Sequence, residues 1–493
     1  MKHILFFSLA LTLIIASCSP EEKFTTSSDA KLSFSLDTLT FDTVFTERGS
    51  ATRILKLYNT NNRSILIEKI KVGKGADSNF RLNIDGLPGN ETENIKIPAN
   101  DSLYIFAEVT VDPDEPISSS PFVIFDDIQF LTNGNEQSVV LEAWGQNANY
   151  LPNRFGNGGI SGIQCNGGEI ILDDDKPYVI FGIWVVDNCT MTIPAGAQIY
   201  VHGGLESFLN EENLKEFFND GRIIVTETGT LNVLGTAENP VIIQGDRLEE
   251  DFDDVPGQWF GIVLSAGSRN NRIEYATIKN SILGVAVDSA AELTTKYSQF
   301  YNTTSNGILG IHANILADNC LIYNNASTGV RLTYGGNYVF RNSTLASFGV
   351  DASVLSLSNI VCLDFPSCQN VLLNDLSATF TNCIIAGSRR DEITLIESED
   401  RGFNYIFDHC AVKIEEILDE DQYPNFLEEC NNCVLINRDD ALFFDTDTDD
   451  YHLDTLSIAE ERGVLIPGFT LDLDGVMRDT ENPDIGCYEY IFE

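Results

Sequence analysis

An all-β chain is predicted: a sandwich of alternating strands, then a parallel β-helix solenoid, then a C-terminal cap. Three observations predict it. Apolar and polar residues alternate with a period of two through residues 31–147. Between residues 158 and 415, small, Gly and Asn positions recur about every 22 residues. The pieces between those positions are strand-sized and rich in β-branched residues, which favour a strand solenoid over a helical one.

Composition sets the outer limits. The chain has 493 residues, 43% of them hydrophobic, with 37 Gly and 15 Pro, enough apolar material for an extensive core. Basic residues number 30 and acidic ones 74, a net charge of −44. Such a surface repels phosphate backbones and excludes a nucleic-acid partner. It also works against a polyuronate substrate unless cations bridge the two.

The first residues carry an address. Lys2 and His3 precede an apolar run over 4–16, then Ser17 and Cys18. That run is too short for about 30 Å of hydrocarbon and suits a secretory signal. The stretch Leu13-Ile14-Ile15-Ala16-Ser17-Cys18 resembles a bacterial lipoprotein signal, which implies cleavage of residues 1–17 and lipidation of Cys18. Acyl chains at about 0.8 kcal/mol per buried CH₂ would hold such a chain on a membrane. Residues 18–30 then form a linker. Within it, Ser19-Pro20-Glu21-Glu22 resembles the acidic tag that sends Bacteroidetes-type lipoproteins to the cell surface. No other apolar run reaches 18 residues, so the expectation is an outer-membrane lipoprotein, tethered rather than membrane-spanning.

Residues 31–147 read as about seven antiparallel strands. Leu32, Phe34 and Leu36 alternate with polar residues, as do Phe80, Leu82 and Ile84, and Leu103, Ile105, Ala107, Val109 and Val111. Turn clusters such as Asn59-Thr60-Asn61-Asn62, Gly86-Leu87-Pro88-Gly89 and Thr132-Asn133-Gly134 separate them. The order Leu57-Tyr58-Asn59, Ile65-x-Ile67-x-x-Ile70, Ile97-Pro98, Phe130-x-Thr132-Asn133 and Val140-Leu141 resembles Ig-like domains of the ASPM–SPD2–hydin kind. That resemblance implies a spacer or adhesive module.

The repeat is clearest at a small-residue slot: Ala276, Ser298, Cys320 and Ser343, spaced 22, 22 and 23, with weaker copies at Cys383 and Cys410. A second register holds Gly284, Gly307 and Gly329, and a third holds Asn280, Asn302 and Asn324. Coils stacked about 4.8 Å apart would turn each register into a ladder, with the three asparagines sharing amide hydrogen bonds. The segments Ile193-Pro194-Ala195-Gly196-Ala197, Gly229-Thr230-Leu231-x-Val233-x-Gly235-Thr236, Asn239-Pro240-Val241 and Gln258-Trp259-x-Gly261-Ile262 resemble right-handed β-helix repeats of pectate-lyase-like surface proteins. Asp450-Tyr451-His452-Leu453, Asp472-Leu-Asp474-Gly475 and Asp484-Ile485-Gly486-Cys487-Tyr488-Glu489 are similar to the segment that closes such solenoids, although Ser457-Ile-Ala-Glu460 and Cys487 depart from it. The resemblance implies a β-helix over 148–415 and its end or cap over 416–493.

Two insertions interrupt the repeat. In residues 205–220 the apolar positions 205, 208, 209, 214, 217 and 218 have a helical spacing. Residues 248–256 form an acidic loop with Asp251, Asp253 and Asp254, a candidate for loose calcium binding that competes with a plain solvated loop. Asp445-x-Asp447-x-Asp449-Asp450 begins like a calcium loop, but Asp450 stands where Gly is required and Leu456 where Glu is.

Candidate chemistry is sparse. Cys320, Cys383 and Cys410 share a slot with Ala and Ser, so they read as compact buried residues, while Cys165/Cys189, Cys362/Cys368 and Cys430/Cys433 are bridge candidates. His202, His312, His409 and His452 show no metal-ligand spacing. Glu274, Lys296, Asp318 and Arg341 alternate in sign on successive coils and read as exposed pairs. Tyr301 and Tyr323, three residues past their small slots, should face outward on adjacent coils. With Trp259 they are candidates for stacking on sugar rings, against a plain cross-strand role.

These features favour a non-catalytic binding or adhesion protein on the cell surface, lipid-anchored in the membrane and touching an extracellular glycan or surface protein. About ten coils would rise on the order of 50 Å. The alternatives are a calcium-dependent polysaccharide lyase or other carbohydrate-active enzyme, implied by fold resemblance, and a structural envelope component.

Overall fold

The computed structural model describes residues 24–45, 50, 52–110, 122–153, 159–209, 215–249, 252–364, 367–419, 423 and 426–491. The signal segment, Cys18, the acidic tag and Asp251 lie outside these residues. The chain divides into two compact units, Met1–Asn147 and Ala148–Glu493.

Alternation in the first unit resolves into two five-stranded sheets. One runs in the order Ser33–Phe34, Arg53–Tyr58, Ser102–Val109, Phe80–Ile84, Leu87–Pro88, and the other Thr38–Phe45, Asn135–Gln146, Phe122–Thr132, Ile65–Val72, Glu91–Ile97. Leu55, Ile105 and Phe80 from the first and Phe41, Ile67 and Phe130 from the second enter one shared core. The Asn133-Gly134 pair joins its two strands as a two-residue hairpin loop, both residues having positive φ (51° and 74°), the conformation such loops require.

The second unit winds. Most of its strands fall into two parallel sheets of 11 and 17 strands, in which strands pair with those one repeat later. One line of partners in the 11-stranded sheet reads Thr277, Gln299, Leu321, Thr344, Ile384, Ala411, Val434. The interior is a continuous apolar cluster in which Ile278, Phe300, Ile322, Leu345, Ile385 and Val412 occupy successive windings. Phe340, Phe380 and Phe407 stack beside them with ring centroids 5.2 and 5.0 Å apart.

The corners explain the asparagines. Asn319, Asn342, Asn382, His409 and Asn432 precede successive copies of the small slot with φ of 50°, 47°, 52°, 50° and 51°. Asn280, Asn302 and Asn324 turn a second corner at 61°, 58° and 48°. Short polar side chains tolerate this left-handed conformation because they bond locally, whereas most residues are strained in it.

Two expectations need correction. Residues 205–220 are no helix: Leu205–Leu209 and Lys215–Asn219 pair antiparallel. The insertion leaves and re-enters the winding at neighbouring points, and a hairpin brings its ends together (Leu205 opposite Asn219) where a helix would carry them apart. A second hairpin, Ile360–Cys362 with Val371–Leu373, was not expected and is closed by the Cys362–Cys368 bridge.

The cap also differs. Parallel pairing continues to Val434–Leu435, and the end of the core is covered by two short helical turns, Glu416–Asp419 and Phe426–Glu429. Phe426 packs on Tyr405 and Phe407 there. Residues 436–490, read as the closing segment, instead lie along the outward face of the 11-stranded sheet. They bury Leu321, Tyr323, Ala346, Ile384, Ala386 and Ala411 beneath Ile436, Tyr451, Ile485 and Cys487. Those outward positions are apolar, and covering them is what the hydrophobic effect demands. The approach is close: Gly486 has φ 107°, and a Cβ there would lie 2.7 Å from the Ile384 side chain.

Candidate functional site

The small slot is a true column. Ala276 N–H donates to Ser298 Oγ (3.2 Å), Cys320 N–H to Ser343 Oγ (3.1 Å) and Cys383 N–H to Cys410 Sγ (3.4 Å), each one winding on. All six side chains are buried. Burial pushes the Cys320 and Cys487 thiols up to about 12, which removes them as nucleophiles at neutral pH. The three expected bridges, Cys165–Cys189, Cys362–Cys368 and Cys430–Cys433, are formed.

The asparagine ladder holds for one rung. Asn302 Nδ2 donates to Asn280 Oδ1 (2.8 Å), but Asn280 donates to Asp253 O (2.6 Å) and Asn324 to the Asp449 carboxylate (2.7 Å). The charged line also departs from expectation. Asp318 is fully buried and is gripped by Arg341 through two bonds of 2.7 and 2.9 Å, with Lys296 3.9 Å away, while Glu274 turns to Arg272. Phe469 of the covering segment lies 4.7 Å over Arg341, which is why this pair is shielded.

The proposed sugar platform is closed. Tyr301 and Tyr323 do stack, with centroids 4.5 Å apart and planes 15° from parallel. Yet Tyr323 is 7% exposed because Tyr451 covers it at 5.0 Å, and Tyr301 is half-buried. Desolvation drives both phenols upward in pKa. Trp259 is 1% exposed, inside the winding, its Nε1 donating to Lys279 O (2.9 Å). An outward position in the repeat is therefore no guarantee of solvent.

The acidic loop is engaged with protein groups. Asp253 accepts from Lys279 Nζ at 2.8 Å, and Asp254 lies in the adjoining turn. Among the described residues no group of three or more His, Cys, Asp or Glu side chains is placed to hold a metal ion.

Three histidines pair with carboxylates, whereas His312 packs on Tyr334. His202 Nδ1 lies 2.7 Å from Asp246, and His409 Nδ1 3.0 Å from Asp408. His452 is held at both ring nitrogens, by Asp450 at 2.6 Å and Asp474 at 2.9 Å, and stacks on Tyr488 at 4.0 Å. The bond to Asp474 and then Asp450 raise its pKa to about 9 against its partial burial. His202 ends the strand Gln198–His202, His409 turns a corner, and His452 lies in the covering segment, where it joins Asp450 to Asp474.

Two features went unread in the sequence. The first is an open face on the 17-stranded sheet. Asn314, Asn337, Ser377 and Asn404 form one outward line there, beside a second of Leu316, Val339, Thr379 and Ile406. Asn337 Nδ2 donates to Asn314 Oδ1 (2.9 Å), and Val339 and Ile406 are 36% and 41% exposed. The signal was present: Asn314 and Asn337 lie four residues before Asp318 and Arg341, in register with the charged line. The second is a cleft of about 650 Å³ lined by Asp351, Arg389, Arg390, Glu416 and Tyr423. Its arginines are matched to carboxylates, Arg389 to Asp351 (2.6 Å) and Arg390 to Glu415 (3.0 Å).

No family model and no curated protein matches the chain. Solved structures resemble it in pieces. PapD-like domain 7 of human CEP192, an ASH domain, is 11% identical with a TM-score of 0.16, over 26% of this chain and 92% of that one. A family 123 glycoside hydrolase from Clostridium perfringens is 6% identical with a TM-score of 0.18, over 39% and 44%. The Pseudomonas fluorescens alkylpurine DNA glycosylase AlkC, bound to DNA with an abasic site analogue, is 12% identical with a TM-score of 0.14, over 27% and 33%. TM-scores this low leave both fold and function to be read from the chain's own residues.

Proposed function

We propose that this chain is a lipid-anchored protein of a bacterial outer membrane, displayed at the cell surface, that binds without catalysis. In this proposal residues 31–147 are an Ig-like sandwich, and the winding that follows is a right-handed parallel β-helix of the pectate-lyase-like kind. The binding face is the open side of the 17-stranded sheet, and its partner is an extracellular glycan or surface protein.

One observation carries the proposal: the two long sheets are treated oppositely. The outward face of the 11-stranded sheet is covered by residues 436–490 from Leu321–Asn325 to Ala411–Val412, whereas the other keeps an amide line and an apolar line side by side and uncovered. Exposed apolar residues in a regular row, flanked by a line of polar side chains, are what a contact surface presents.

The test is binding of the mature chain to intact cells and to insoluble polysaccharides, beside a Val339→Glu/Ile406→Glu variant. Binding by the wild type and its loss in the variant support the proposal. Equal binding by both removes this face from it. Labelled fatty acid on Cys18, absent in Cys18→Ala, checks the anchor.

A further inference from the structure

The exposed, stacked aromatic pair that the repeat was expected to supply is present elsewhere, on the first unit. Strand Ser102–Val109 lies between Arg53–Tyr58 and Phe80–Ile84. Its inward residues Leu103, Ile105 and Ala107 enter the core, and its outward ones do not. Tyr104 is 44% and Phe106 37% exposed, with rings 6.5 Å apart and 23° from parallel. Register places Ile54, Phe106 and Asn83 in one row across three strands, and Lys56 beside Tyr104 in the next. Lys56 Nζ sits 5.0 Å over the Tyr104 ring.

A cavity of about 770 Å³ opens beside Phe106, with Arg81, Asn83, Asn90 and Glu108 in its wall. Asn90 is spent on the backbone, accepting from Leu82 N–H and donating to Phe80 O. Asn83 Oδ1 is buried and accepts no hydrogen bond from the protein. A buried amide oxygen without a donor costs stability, and a ligand hydroxyl would satisfy it.

We infer that this face is a saccharide-binding site for an uncharged hexopyranose chain, distinct from the open face of the second unit. Each feature selects that class. Exposed rings lying 23° from parallel offer apolar area to the CH faces of sugar rings, and Arg81, Asn83 and Glu108 line the adjoining cavity with donors and acceptors for hydroxyls. The volume falls in the usual range for ligand sites, about 300–1,000 Å³. A peptide added as an extra strand is excluded here, because Ser102–Val109 is paired on both sides and has no free edge. An acidic sugar is disfavoured by the chain's net charge of −44.

The experiment is calorimetric titration of the mature chain with cellopentaose, laminaripentaose, chitopentaose and mannopentaose, and with pentagalacturonate as the charged control. At least one neutral probe should bind. Phe106→Ser and Tyr104→Ser should each weaken it about tenfold or more. Phe106→Trp should retain it, which guards against a folding defect, and Val339→Glu should leave it unchanged. The inference is overturned if no neutral probe binds, if binding survives Phe106→Ser, if it follows Val339→Glu instead, or if pentagalacturonate binds as tightly. Loss of cell binding in Val339→Glu/Ile406→Glu with oligosaccharide binding intact would separate this site from the other face.

Discussion

Two sheets of one winding share a register and meet different fates. In the 11-stranded sheet both faces are buried from Leu321–Asn325 to Ala411–Val412, the inner by the core and the outer by residues 436–490. In the 17-stranded sheet the outer face stays open along Asn314, Asn337, Ser377 and Asn404. The outward residues already differ: Leu321, Tyr323, Ala346, Ile384 and Ala386 on the covered side, an amide line beside an apolar one on the open side. A repeat thus fixes which residues touch along a column, while the chemistry of the outward column fixes whether another segment covers it.

The largest expected effect comes from breaking the cover at its polar anchor. Arg478 is buried in residues 436–490 and donates to Asn319 Oδ1 (2.9 Å), Gly486 O (2.8 Å) and Glu489 (3.1 Å). Burial raises the pKa of the neighbouring Asp472, Asp484 and Glu489 carboxyls, so they depend on this cation. Arg478→Met should cost about 3–5 kcal/mol, since it leaves a buried carboxylate without its partner. Limited proteolysis should then cut within residues 436–490 first, under conditions where the wild-type chain resists.

Covered and open outward positions should next separate cleanly. Tyr323→Ala removes a ring packed between Tyr301 and Tyr451 and should cost about 3 kcal/mol. Val339→Ala, outward on the open sheet, should cost about 0.5 kcal/mol. Denaturant unfolding of both variants gives the comparison directly. Equal losses would mean that the two faces are buried alike.

How much was legible follows from the same contrast. The column through Ala276, Ser298, Cys320 and Ser343 was readable because stacking makes residues about 22 apart contacts, and small inward slots tolerate few residue types. The burial of Tyr323 was not, because it depends on a segment more than a hundred residues away, and Trp259 points into the interior of the winding rather than outward. No periodicity reports those. The hairpin at Leu205–Leu209 was missed because Phe208, Phe217 and Phe218 fit a helical stripe and a strand equally well. The corner at Asn382 lies between these cases: its type is legible and its partner is not. Its φ is 52°, and it donates to Asn342 Oδ1 (2.9 Å) and Val464 O (2.8 Å). Asn382→Ala should cost about 2 kcal/mol from left-handed strain plus a lost bond, and Asn382→Gly should recover the strain component. Thermal unfolding of the pair divides the corner's cost between conformation and cover.

The smallest effect tests whether the cover has a charged latch. His452 joins Asp450 to Asp474 within the covering segment, and its pKa rises from 6.5 to about 9 in the folded chain. A base whose folded pKa is raised binds its proton more tightly when folded. Its stabilisation is therefore complete below about pH 6.5 and is lost as pH climbs through about 9. The imidazole is 45% exposed, so solvent screens it to the scale of a surface pair, about 0.5 kcal/mol. Amide exchange over residues 443–453 should quicken between pH 6.5 and 9.5 beyond the intrinsic base-catalysed rise. In His452→Gln that excess should vanish, while residues 314–341 on the open sheet show none in either chain. An excess that persists in the variant would remove His452 as its source; the buried carboxyls around Arg478, whose raised pKa values also weaken the fold as pH rises, act in the acidic range where carboxyls ionise.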